Sequence, residues 1–108
     1  MYTNRMDMNT DKLAERIKNR FDHNQARRVL REKYHAKMYF AYNGGMWYAG
    51  PTLLNTLHVC PDEDAVIEDT HGNPVKINVP DMIFLAEQRW QEQMHAWHDE
   101  YEQNRKKR

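Results

Sequence analysis

The sequence predicts an α+β fold: N-terminal helices, two β-hairpins forming a small antiparallel sheet, and a long C-terminal helix, in the order α(α)-ββ-α-ββ-α. Three observations carry this expectation. Asn43-Gly44 sits between two aromatic-rich runs of alternating residues, which is hairpin chemistry. Gly72-Asn73-Pro74 separates two runs rich in β-branched residues, which marks a second hairpin. Ile83, Ala86, Trp90, Met94, Trp97 and Tyr101 recur at spacings of three and four near the end, the stripe of a long amphipathic helix.

The elements follow in order. Residues 1–9 are read as a flexible arm. Thr10 can cap a helix running to about Phe21, with Leu13, Ala14, Ile17 and Phe21 on the inward face. Asp22 with Gln25 resembles a capping box and marks a restart, so a second helix, or a kinked continuation of the first, runs from His23 to about His35. Its inward residues are Ala26, Val29, Leu30 and Tyr34. In the first hairpin Met38, Phe40 and Tyr42 share one face while Tyr39 and Ala41 share the other. The return strand runs from Met46 to Ala49. Gly50-Pro51 opens a short helix that buries Leu53, Leu54 and Leu57. Cys60 to Asp64 is an acidic loop. The second hairpin pairs residues 65–70 with 75–79, Pro80 stops it, and Asp81 caps the last helix, which reaches about Gln103. A single domain thus covers residues 10–104, followed by a basic tail at 105–108.

With 108 residues, one domain is expected. The 11% aromatic fraction is too high for a disordered chain, while 40% hydrophobic residues point to a small core of a few large side chains. Cys60 is the only cysteine, which excludes an internal disulfide and suits a reducing compartment. The segment MYTNRMDMNTDKLAERIK holds no apolar stretch of signal-peptide type, and no apolar run approaches the roughly 20 residues of a membrane span. The expected location is the cytoplasm or something assembled there, with no membrane partner.

The formal net charge is zero, but the charges are segregated. Residues 1–39 hold ten Lys/Arg and five Asp/Glu, residues 40–100 hold two and ten, and residues 101–108 hold four and one. Such asymmetry fits a nucleic-acid face or oppositely charged faces for protein partners. Its competing explanation is two halves that neutralise each other side by side.

Four groups of residues are candidates for chemistry. The aromatic hairpin could stack bases on Tyr39 and Trp47, placed on its outer face, while Arg20, Arg27, Arg28, Arg31, Lys33 and Lys37 hold phosphates. The competing reading makes the aromatics sheet core, and hydrophobic patterning alone predicts that. His95, His98, Asp99 and Glu102 share helical spacing suited to a metal, but the zinc signature of two His flanking a Glu is absent, so no metal is assigned. His58 and Cys60 would point apart at a helix end, so no catalytic pair is assigned either. Asp62-Glu63-Asp64 lacks the alternating ligands and Gly of a calcium loop. No phosphate-binding Gly loop or nucleophile elbow is present, so the chain is read as a non-enzyme without cofactor. Finally, Trp90, Met94, Trp97 and Tyr101 on the last helix form a candidate protein interface, since Met and aromatics suit interfaces as well as cores.

The runs FAYNGGMWYAGPTLL and EDTHGNPVKINVPDMIFLAEQRWQEQMHAWHDEYE resemble small uncharacterised proteins of large contractile-tailed bacteriophages. The resemblance spans residues 24–104 and carries over no site residues. It implies a phage origin and a role in virion assembly, host takeover or phage nucleic-acid metabolism. The leading expectation is therefore a non-enzymatic interaction protein, a minor virion or assembly component or an accessory factor, with a protein partner or self-association. The alternative is a single-stranded nucleic-acid-binding accessory protein built on the basic helix and the aromatic hairpin.

Overall fold

A computed structural model describes the backbone of residues 2–107 and the side chains of residues 10–107. The elements are α1 (Tyr2–Ala36), β1 (Tyr39–Tyr42), β2 (Gly45–Tyr48), α2 (Pro51–His58), β3 (Asp64–Glu68), β4 (Pro74–Asn78) and α3 (Val79–Lys106). The α+β class and the expected element order hold. The two hairpins remain separate two-stranded antiparallel sheets rather than one sheet. The chain divides into two compact units, one ending at Glu32 and one beginning at Lys33.

The first unit is helix throughout. The expected arm is named for residues 1–9; from Tyr2 the backbone belongs to α1, Met1 lies outside the described residues, and so do the side chains of residues 2–9. Thr10 is therefore not a cap, and Asp22–Gln25 is not a restart. The physical reason is that no Gly or Pro occurs between Tyr2 and Ala36, so a residue pair that can start a helix does not oblige one to stop. The apolar face expected to point inward is exposed: Leu13 is 57%, Ile17 61% and Phe21 63% accessible. Ala26 and Val29 are exposed too, while Leu30 and Tyr34 are buried as expected.

In the second unit, Asn43 (φ 50°) and Gly44 (φ 80°) both take the left-handed conformation of a two-residue hairpin turn. That turn sets the register Tyr39↔Tyr48, Phe40↔Trp47, Ala41↔Met46 and Tyr42↔Gly45. Phe40 and Trp47 are directly opposite and both buried, so Trp47 lies on the core face and not on the outer one. A two-residue loop places each return residue on the face of its partner, and the core takes the largest side chain available. Trp47 is 1% exposed, and its indole N–H donates to the Tyr42 carbonyl at 2.9 Å. Gly45 makes room for that ring, because a Cβ there would lie 2.8 Å from Trp47 Cζ2.

Pro51 opens α2 after an extended Gly50, and α2 buries Leu54 and Leu57. In the second hairpin Ala65 and Ile67 on β3 face Ile77 and Val75 on β4. Asn78 rather than Asp81 caps α3, its Oδ1 accepting from the Asp81 N–H at 3.0 Å, with Pro80 in the first turn. The core gathers Phe40, Trp47, Leu54, Leu57, Ile77 and Met82, with Ile83 and Trp90 packed against it. Along the expected stripe of α3, Ala86 is buried and Trp97 half-buried, while Met94 and Tyr101 remain exposed. Phe84, not singled out by the stripe, is 66% exposed.

Candidate interaction surfaces

Within the first unit the notable surface is the stripe Leu13, Ile17 and Phe21, at i, i+4 and i+8 on one side of α1. Every side chain from Thr10 to Val29 is exposed. Beside the apolar row runs a second row, Arg16, Arg20 and Arg27, displaced by one residue around the helix. Arg27 donates to Asn24 Oδ1 at 3.0 Å, and Arg28 lies 3.8 Å from Glu32 Oε1. A long side chain held along its own helix costs some of its reach toward a ligand. Arg20 and Arg31 are exposed on the same helix.

Within the second unit a chain of rings runs across the C-terminal end of α1, β1, β2 and α3. Tyr34 stacks on Trp97 at 6.3 Å between centroids, His35 meets Trp97 edge-on at 5.6 Å and Tyr48 at 6.0 Å, and Tyr48 meets Tyr39 edge-on at 5.0 Å. These offset and edge contacts are the favoured aromatic geometries. Lys33 and Lys37 lie over the Tyr34 ring at 5.3 and 5.1 Å. Lys33 also donates to Glu100 Oε1 at 2.7 Å. That hydrogen bond, outweighing partial desolvation and helped by the charges of Lys33 and Lys37, holds the Glu100 carboxyl below its usual range. The same bond raises the Lys33 ammonium. Tyr39 is 48% exposed and is the accessible end of the ring chain.

A cleft of about 480 Å³ opens between α2 and the strands of the second unit. Trp47, Tyr48, Leu53 and Ile67 form its apolar walls, and Thr52, Thr56, Thr70 and Glu68 supply polar groups. Its floor includes Asp69, whose two carboxylate oxygens are occupied. Oδ1 accepts from the His71 and Asn73 N–H groups at 2.9 Å each, and Oδ2 accepts from Met46 N–H at 3.1 Å. Led by the Asn73 bond and opposed by desolvation, these contacts hold the Asp69 carboxyl below its usual range.

The nucleic-acid residues named from sequence fall in both units. Trp47 is core and cannot stack a base. Tyr39, Lys33 and Lys37 share the second unit, whereas Arg20, Arg27, Arg28 and Arg31 belong to the first. Of the interface residues proposed on α3, Trp90 packs on the core and Trp97 on Tyr34 and His35, leaving Met94 and Tyr101 accessible. Among the described residues, no three His, Cys, Asp or Glu side chains come together as metal ligands. His98 lies 3.9 Å from Glu102, and His95 and Asp99 are exposed. Cys60 donates its thiol to the Thr56 carbonyl at 3.3 Å, and His58 instead approaches Glu87 at 3.9 Å. Sequence reasoning passed over Asp69 and the cleft. An isolated Asp before a His-Gly turn was the available signal, since Asp side chains bind the backbone of turns. No helix among the described residues is long and apolar enough to cross a membrane.

No family model, curated protein or solved structure matches the chain.

Proposed function

We propose that this chain is a non-enzymatic interaction protein of phage type, an assembly component or accessory factor that presents α1 to a protein partner. The observation that supports it is the exposed stripe Leu13, Ile17 and Phe21. Three large apolar side chains in line, each more than half accessible, keep apolar area in contact with water that burial against a partner would release. Anchors at i, i+4 and i+8 are the pattern with which a helix docks into a groove. The second unit supplies a packed body carrying its own core.

A photoreactive amino acid placed at Ile17, in cells producing the protein, tests this reading. Protein adducts at position 17, and few at the opposite-face position Asn19, are expected. Equal or absent crosslinking at the two positions would remove the stripe from any interface.

A second reading, single-stranded nucleic-acid binding, retains Tyr39 with Lys33 and Lys37, because Tyr39 is the accessible end of the ring chain whose other end, Tyr34, carries the two cations. It requires oligonucleotide affinity that falls steeply with salt and is lost in Tyr39→Ala. Salt-independent affinity, or affinity unchanged in that variant, contradicts it.

A further inference from the structure

We infer that the partner of the α1 stripe is a second copy of this chain, and that the stripe seats in the other copy's Trp47–Leu53–Ile67 cleft. This inference rests on the reading that α1 is an interaction helix, and it names the occupant.

Three observations converge on it. The first is shape and polarity. The stripe offers Leu13, Ile17 and Phe21 along one helix face, and the cleft offers apolar walls and an open groove of about 480 Å³. Most of the polar groups of the cleft are already engaged. The Thr56 hydroxyl donates to the Thr52 carbonyl, the Thr70 hydroxyl to the Met46 carbonyl, and the Asp69 carboxylate takes three backbone N–H groups. An apolar occupant therefore strands little polar surface there.

The second observation is charge. The stripe is flanked by Arg16, Arg20 and Arg27. The cleft carries two carboxylates, Asp69 and the exposed Glu68, and no Lys or Arg among its lining residues. Residues 1–32 hold eight Lys/Arg and five Asp/Glu, whereas residues 33–100 hold four and ten. A basic-flanked helix meeting an acidic cleft brings opposite charges together. An α1 laid antiparallel on another α1 would instead set the arginine row against itself.

The third observation is the balance of the whole chain. Its formal net charge is zero, so two copies approach without long-range repulsion. In a two-fold pair the contact is made twice, each copy giving its helix and receiving one.

Sedimentation equilibrium of the purified chain and two variants tests the inference. Phe21→Glu spoils the helix, and Thr56→Trp fills the cleft from an exposed position of α2. Far-UV circular dichroism checks both folds, and Glu68→Lys replaces Thr56→Trp if the latter is unfolded. The expected result is a wild-type dimer that weakens with salt, with each variant associating roughly tenfold or more weakly. Mixing the two variants restores a heterodimer, because one intact helix then meets one intact cleft. A dimer broken by Phe21→Glu but not by the cleft variants places α1 elsewhere and overturns the inference, while leaving α1 an interaction helix. A monomeric wild type that still gives adducts of foreign mass at position 17 does the same. A monomer with no adducts at position 17 overturns both readings.

Discussion

The Met46 backbone N–H donates to Asp69 Oδ2 at 3.1 Å, and this bond ties the two hairpins together although their strands do not pair. Thr70 adds two more links to the same place, its N–H and its hydroxyl both donating to the Met46 carbonyl at 2.9 Å. Asp69 also closes its own turn through His71 and Asn73. One carboxylate thus satisfies three backbone donors, one from the first hairpin and two from the turn of the second, which matters because a buried donor left without a partner is costly. Asp69→Ala is expected to lower the melting temperature by at least about 5 °C, more than any single substitution of the exposed Leu13, Ile17 or Phe21. A calorimetric scan of the variant beside wild type checks this.

Gly45 and Trp47 make a second, independent prediction. With 2.8 Å between an added Cβ and the ring, Gly45→Ala forces the buried indole to move and is expected to cost about 1–3 kcal/mol. Trp47→Ala is expected to cost about 3–5 kcal/mol, from lost burial and the cavity it leaves. Urea unfolding followed by circular dichroism gives both values. A Trp47→Ala loss below that of Gly45→Ala would show that the ring is not the core residue described.

The dependence on pH follows from three groups. Asp69 and Glu100 both have lowered folded values, from ordinary values of 3.8 and 4.5. Their stabilisation is therefore complete above those ordinary values and is lost as the pH falls through the lowered ones. Lys33 is raised above 10.5, so its share is complete below that pH and lost as the pH rises through the raised value. The protein is expected to be most stable between these limits, with an acid limb made shallower by Glu100→Gln. The Lys33–Glu100 pair is partly exposed, so its contribution is small and screened by salt. Melting temperature against pH, for wild type and Glu100→Gln, measures it. An unchanged acid limb in the variant would contradict the assignment of Glu100.

Much of the second unit was legible in the sequence, because local chemistry there agrees with the fold. Asn43-Gly44 fixed the first hairpin turn, Gly50-Pro51 the start of α2, and the spacing of Ile83, Ala86 and Trp90 the core face of α3. The face of Trp47 was not legible. It depends on the two-residue loop Asn43-Gly44, and starting the return strand at Met46, as expected from sequence, instead of at Gly45 reverses the face. The apolar spacing of Leu13, Ile17 and Phe21 was legible as well, but periodicity identifies a helix with an apolar side and does not say whether the chain itself covers that side. Asp81 and Asn78 illustrate the limit of capping rules: both residues cap well, and the position of Pro80 in the first turn decides between them. The cleft depends on α2, β2 and β3 lining one space, an arrangement of distant residues that no short motif encodes.

On the function proposed, Leu13, Ile17 and Phe21 serve an interface and not the fold. Replacing all three together by Gln and measuring thermal unfolding at a protein concentration where the wild type is monomeric tests it most directly. The account predicts a melting temperature within a few degrees of wild type, since exposed substitutions rarely change stability by more than about 0.5 kcal/mol each. A fall in melting temperature as large as that of Trp47→Ala would contradict it, and would make the stripe part of the core.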